Sequence, residues 1–155
     1  MDKARVVFVV GHGRWGKSKT LSALAGGMRR YISLAGVEFF IRRMSNDDRP
    51  PDFYAEMHRV RAVETPSLIV AFCPTMKEDP RARRCLKSLQ RKGYRLFFWV
   101  LRRQQKPGTN GSIEHGEIRS LKKYGQVKVF EGQVPKSRRA KALRRFICDT
   151  VLAHQ

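Results

Sequence analysis

Acidic residues are what this chain has least of. Thirteen Asp and Glu stand against 33 Lys and Arg, a formal charge of +20 at pH 7. The shortage is uneven: 20 basic and 6 acidic residues lie from Glu78 onward, 13 and 7 before it. A field of that sign favours a polyanion as partner, whether DNA, RNA or an anionic membrane face. Cysteine is sparse as well. Cys73, Cys85 and Cys148 are far apart, form no C-x-x-C pair, and keep no ligand spacing with His12, His58, His115 or His154. This argues against a disulfide framework or a zinc site and leaves reduced, mostly buried thiols. Long apolar runs are missing too. None approaches the ~20 residues of a membrane-spanning helix. Met1–Val10 is too short for a signal peptide and is followed by Gly11, so no membrane span and a cytoplasmic location are expected.

What is present is an alternation of short apolar runs and helical stripes, at a length that suits one domain, residues 1–155. Arg5 to Val10 reads as a strand. Lys17 to Leu34 reads as a helix, because Leu21, Leu24, Ala25, Met28 and Ile32 recur at three- and four-residue spacing, although Gly26 and Gly27 weaken it. Val37 to Ile41 is a second strand, followed by the polar loop Arg42 to Pro51 and a helix from Asp52 to Val63. Ser67 to Cys73 is a third strand, stopped by Pro74. A helix from Asp79 to Lys92 precedes Leu96 to Leu101, which is apolar at every position and suits a strand buried on both faces. After the polar loop Arg102 to Ser112 come a helix, Ile113 to Tyr124, a short strand, Val127 to Phe130, and a last helix, Pro135 to His154. Five β/α units in succession predict a three-layer α/β fold. Its mostly parallel sheet has about five strands, with helices on both faces.

The first strand ends in GHGRWGKS, where Gly11, Gly16, Lys17 and Ser18 fit G-x-x-x-x-G-K-[ST], the phosphate-binding loop of the P-loop NTPase fold. Glycines let the backbone curl so that several N–H groups converge on one phosphate. The helix that follows turns its positive dipole end to the same anion. The candidate nucleotide-binding residues are therefore Gly11, His12, Gly13, Arg14, Trp15, Gly16, Lys17, Ser18 and Lys19. Lys17 would reach the β- and γ-phosphates of ATP or GTP and is a catalytic candidate, and the Ser18 hydroxyl would ligate Mg²⁺. Trp15 is expected to pack on a neighbouring loop rather than to stack on a base or meet a partner chain.

Hydrolysis normally needs a further acid on the metal side. The third strand ends in Phe72, Cys73 and Pro74 and the fourth in Arg102 and Arg103, none of them acidic. Asp47 and Asp48, after the second strand, are the catalytic candidates for that role, since nucleotide sites lie at strand carboxyl ends in such sheets. Two helices carry basic rows. Arg81, Arg84, Lys87 and Arg91 share one face, as do Arg138, Lys141 and Arg145. Phosphates would offset the repulsion within each row, so these seven are the candidate nucleic-acid contacts. The last helix is expected at another edge of the sheet from the phosphate loop.

Position by position, the loop resembles the deviant phosphate loops of the ParA/MinD partitioning ATPases of the SIMIBI class, which read roughly G-K-G-G-x-G-K-[ST]. Gly11, Gly13, Gly16, Lys17 and Ser18 match it. TLSALAGG, Thr20 to Gly27, looks like the family's T-x-x-x-N-L-A helix, AFCPT, Ala71 to Thr75, like its D-x-P strand end, and Val129 to Leu143 like a late strand, loop and helix. His12 stands where the family has a signature lysine, Phe72 where it has its Mg²⁺-associated Asp, and Lys19 where it has a small hydroxyl residue. The resemblance implies an ATP-gated homodimer that binds DNA non-specifically, and the replacements imply weak or no hydrolysis.

The expected function is thus a nucleotide-dependent switch associated with DNA or another polyanion. A small P-loop kinase, with Arg102, Arg103 and Lys106 clamping the transferred phosphoryl group and Asp47, Asp48 or Asp52 as base, is the alternative. A non-catalytic adaptor is a third.

Overall fold

Three stretches form the centre of the sheet because nearly all their side chains are apolar and both their faces are covered. They are β1 (Arg5–Val10), β4 (Ser67–Phe72) and β5 (Arg95–Leu101). The computed structural model describes residues 4–153. β1 lies between β4 and β5 in parallel register, so that Val10 is level with Phe72 and Val100. β3 (Val37–Arg42) adds outside β4, and β6 (Gly125–Phe130) adds outside β5, both parallel. β2 (Tyr31–Leu34) closes the far edge antiparallel to β3, giving the order β2-β3-β4-β1-β5-β6.

Helices cover both faces. α1 (Lys17–Ala25) and α5 (Lys136–Phe146) pack Leu21, Leu24, Leu143 and Phe146 against Val7, Val9, Ile69 and Trp99. On the other face, α2 (Pro50–Arg59), α3 (Pro80–Arg91) and α4 (His115–Lys122) pack Phe53, Leu86, Leu89 and Leu121 against Phe8, Leu68 and Phe98. The chain is therefore a three-layer α/β fold. Among the described residues, no helix is long and apolar enough to cross a membrane.

The sheet has six strands rather than about five, because the helix expected to run to Leu34 ends at Ala25. Gly26 and Gly27 adopt φ of 72° and 137°, and Gly27 N–H donates to the Ser22 carbonyl at 2.8 Å, which closes the helix end. Tyr31–Leu34 then pairs with β3 across Ala35 and Gly36, both at positive φ, the geometry of a two-residue hairpin turn. Ile32, expected on the helical stripe, lies on this edge strand. Other boundaries shift by a few residues: α2 starts at Pro50, with proline where an N–H is not needed, and ends at Arg59. The last helix widens into a π-helical turn over Ile147–Val151, and its expected end at His154 lies outside the described residues.

Candidate functional site

The loop between β1 and α1 starts where the three central strands end. Gly11 N–H donates to the Phe72 carbonyl at 3.0 Å, tying the loop to the end of β4. Arg14 and Gly16 take φ of 64° and 94°, so the backbone reverses hand twice before the helix. Gly16 is the N-cap of α1 and offers no side chain to it. The first N–H groups of an α-helix have no partner within it, and here no cap side chain competes for them.

Lys17 is buried, and its ammonium folds back on the loop, donating to the carbonyls of Gly11 at 2.6 Å and His12 at 2.8 Å. Burial lowers its pKa, while Cys73, Asp48 and Asp47 oppose that shift. Ser18 and Lys19 are exposed beside it. Trp15 is buried, edge-on to His12 at 4.9 Å between centroids. It lies so close to Gly111 that a Cβ there would come within 3.1 Å of the indole. Trp15 thus packs on the β5–α4 loop. Burial, then Lys17, lowers the His12 pKa, so the imidazole is held toward its neutral form.

An open cleft of about 730 Å³ lies over the loop, walled by residues 13–19 and by Arg43, Asp48, Gln104, Lys106 and Arg139. The expectation that the last helix lies at another edge is corrected here, because its Arg139 is buried in this wall. Arg139 Nε donates to Thr20 Oγ1 at 2.8 Å and Nη1 to the Val134 carbonyl at 2.6 Å. Burial lowers its pKa.

The two candidate acids separate. Asp48 lines the loop cleft together with Ser18, although its Oδ2 accepts from Ser45 N–H at 2.8 Å. Asp47 lines a second cleft, and its Oδ2 sits 3.1 Å from where a Cβ on Gly13 would lie. Asn46, between Ser45 and Asp47, pins this segment to the end of β4, accepting from Cys73 N–H at 2.6 Å and donating to its carbonyl at 3.0 Å. Phe72 is wholly buried against Phe8, and its side chain lines neither cleft. A hydroxyl and a carboxylate in one cleft would suit Mg²⁺, which takes few protein ligands beside the oxygens of a bound phosphate. Ser18 and Asp48 fit that donor set.

Of the loop expected to clamp a phosphoryl group, Lys106 lines the cleft. Arg102 is engaged instead with Glu131 at 3.3 Å and His115 at 2.8 Å, and Arg103 is exposed. Asp52 pairs with Arg49 on the surface of α2. Arg81, Arg84, Lys87 and Arg91 are all exposed on α3, and Arg138, Lys141 and Arg145 on α5. The two rows lie on opposite faces of the sheet, because α3 packs on one and α5 on the other. Arg81 is also held by Asp79 at 2.9 Å and lies over the Tyr54 ring. The three cysteines are free, Cys73 and Cys85 buried, with burial pushing their thiols up to about 11 and about 12.

Arg139 and Glu117 were not among the expected site residues. Both leave a trace in sequence: Arg139 falls four residues before Leu143 and Glu117 four before Leu121, so each sits as a charge on a buried stripe.

Two de novo designed proteins solved by NMR share the fold. One, described as a PLOOP2X3_50 fold, matches with a TM-score of 0.57 over 98% of this chain and 97% of its own, at 17% identity. The other matches with a TM-score of 0.55 over 94% and 91%, at 18% identity. The crystal structure of APE1195 matches with a TM-score of 0.52 over 97% and 98%, at 11% identity. At these identities the likeness is one of fold. No protein-family model and no curated protein sequence matches the chain.

Proposed function

We propose that this protein is a P-loop nucleotide-binding switch of the ParA-like kind, which holds ATP or GTP by its phosphates and associates with nucleic acid. The observation that carries the reading is the convergence at one cleft of Lys17, the uncapped start of α1 and Arg139, with Arg43 and Lys106 across from them. Such a concentration of donors and positive charge is complementary to a polyphosphate. Mg²⁺ would be shared between Ser18, Asp48 and the phosphates. With Phe72 in the position of an acid, hydrolysis is slow or absent. Two such chains would meet as a homodimer, and the cytoplasm is the compartment where this chemistry is used. The switch is favoured over the kinase because, of the three proposed phosphoryl clamps, Lys106 alone reaches the cleft.

The test is calorimetry of nucleotide binding with wild type and Lys17→Ala. Lys17 is buried but belongs to neither apolar cluster and bonds two loop carbonyls, so the variant is expected to fold and to bind neither ATP nor GTP. Equal affinity in both proteins ends the phosphate-loop reading.

A further inference from the structure

On the other side of Gly13 from the loop cleft lies a second one, of about 440 Å³. It opens at the carboxyl ends of the central strands, the crevice where open α/β sheets place ligands. In a chain of 13 acidic residues, four of them line it: Asp47 after β3, Glu78 after β4, and Glu114 and Glu117 at the start of α4. Glu117 is only 7% exposed, and its Oε2 is buried with no hydrogen-bond partner among the described residues. An unpaired buried carboxylate oxygen is costly. Burial, then Glu78, pushes the Glu117 pKa up, Lys77 offsets this, and Glu114 adds to it. Lys77 pairs with Glu114, at 3.9 Å between exposed side chains. His12, held toward neutrality, adds little positive charge.

The acids come from three separate loops, and no three His, Cys, Asp or Glu among the described residues are arranged to hold one metal ion. Between them the wall is mixed, with Cys73 and Pro74 beside the hydroxyls of Thr75 and Ser112. Carboxylates dispersed over three segments, rather than gathered round one point, match a ligand whose positive charges are themselves spaced along a chain.

We propose that this second cleft binds a linear aliphatic polyamine, with one ammonium group on Glu117 and a second on Glu78. The proposal does not rest on nucleotide binding.

The experiment is titration calorimetry of the full chain with spermidine at about 0.1 M salt, where long-range repulsion is screened. Saturable binding is expected. Glu117→Gln and Glu78→Gln are each expected to weaken it about tenfold or more, the effect of losing one charge-assisted hydrogen bond. Glu38→Gln, on β3 away from the cleft, is expected to leave it unchanged, and so is Lys17→Ala, which separates this site from the nucleotide reading. Glu78 is exposed, so its variant keeps the test valid if Glu117→Gln fails to fold. Absence of saturable binding, the same affinity in the carboxylate variants, or complete displacement of spermidine by an equal concentration of MgCl₂ would each overturn the proposal.

Discussion

Arg139 of α5 donates from Nε to the Thr20 hydroxyl of α1 at 2.8 Å, and Thr20 Oγ1 donates in turn to the Gly16 carbonyl at 2.7 Å. One hydroxyl therefore joins the last helix to the β1–α1 loop across 119 residues of sequence. The neighbour of Arg139 in the chain, Arg138, is exposed on the basic row. One side of α5 thus walls the cleft over the β1–α1 loop and another carries the basic row.

Arg139→Ala is expected to lower stability by about 2 kcal/mol, the scale of charge-assisted hydrogen bonds lost from a buried site. It should also weaken nucleotide binding, since a cation leaves the cleft wall. Arg139→Lys should rescue little, because a single ammonium cannot reproduce the planar fork that reaches both Thr20 and Val134. Urea unfolding and nucleotide titration read the two effects. A stability change within about 0.5 kcal/mol, typical of a surface substitution, would show that the bridge carries no weight.

The separation of Asp47 from Asp48 makes them distinguishable in turnover. The wild-type rate should fall below the usual ~1–10³ s⁻¹ of enzymes, because β4 ends in Phe72, Cys73 and Pro74, none of them acidic. Asp48→Asn should remove what remains while nucleotide still binds, and Asp47→Asn should leave the rate nearly intact. Steady-state phosphate release with both variants decides it; brisk turnover unaffected by Asp48→Asn would place the metal-side acid elsewhere.

Duplex DNA binding should be weak, non-specific and salt-dependent, with Kd of roughly 10⁻⁴–10⁻⁶ M at physiological salt. Replacing Arg138, Lys141 and Arg145 by Ala should flatten the slope of log K against log salt by up to about 2.7, at about 0.9 per phosphate contact. Because α3 lies on the opposite face, replacing Arg81, Arg84, Lys87 and Arg91 should leave that α5 contribution in place. A salt titration with a fluorescent duplex measures both. Salt-insensitive affinity, or no binding at low salt, removes nucleic acid as partner.

Stability should fall as pH drops through 6.5, the ordinary histidine value, because the folded pKa of His12 lies lower. In that window the unfolded chain binds the proton and the folded chain does not, so acid favours unfolding. His12→Asn should flatten this part of the profile. Thermal melts of the two proteins between about pH 7.5 and 5.5, above the ordinary carboxylate range, test it. Parallel profiles would mean that His12 titrates as it does in the unfolded chain.

The layers, the parallel core and the loop at the end of β1 were legible because they follow from local rules. RVVFVV, SLIVAF and RLFFWVL admit little but buried strands, and the glycine–lysine spacing fixes a loop before a helix. The hairpin at the sheet edge was misread because Met28 and Ile32 continue a helical spacing that the Gly26–Gly27 pair interrupts. Periodicity alone gives no weight to backbone hand.

What the sequence determined by itself is the charge, the order of most elements and the glycine-rich turn from Gly11 to Gly16 that precedes α1. What only the tertiary structure decided is which distant side chains meet there. Strand order brings β4 beside β1 and so sets the β3–α2 loop, with Asp47 and Asp48, on two sides of Gly13. The packing of α5 on α1 buries Arg139 beside Gly16, and the packing of α4 buries Glu117 in the second cleft. These contacts arise because burying two apolar stripes on a sheet carries along whatever charge lies on them, and no spacing within one segment encodes where that charge will come to rest.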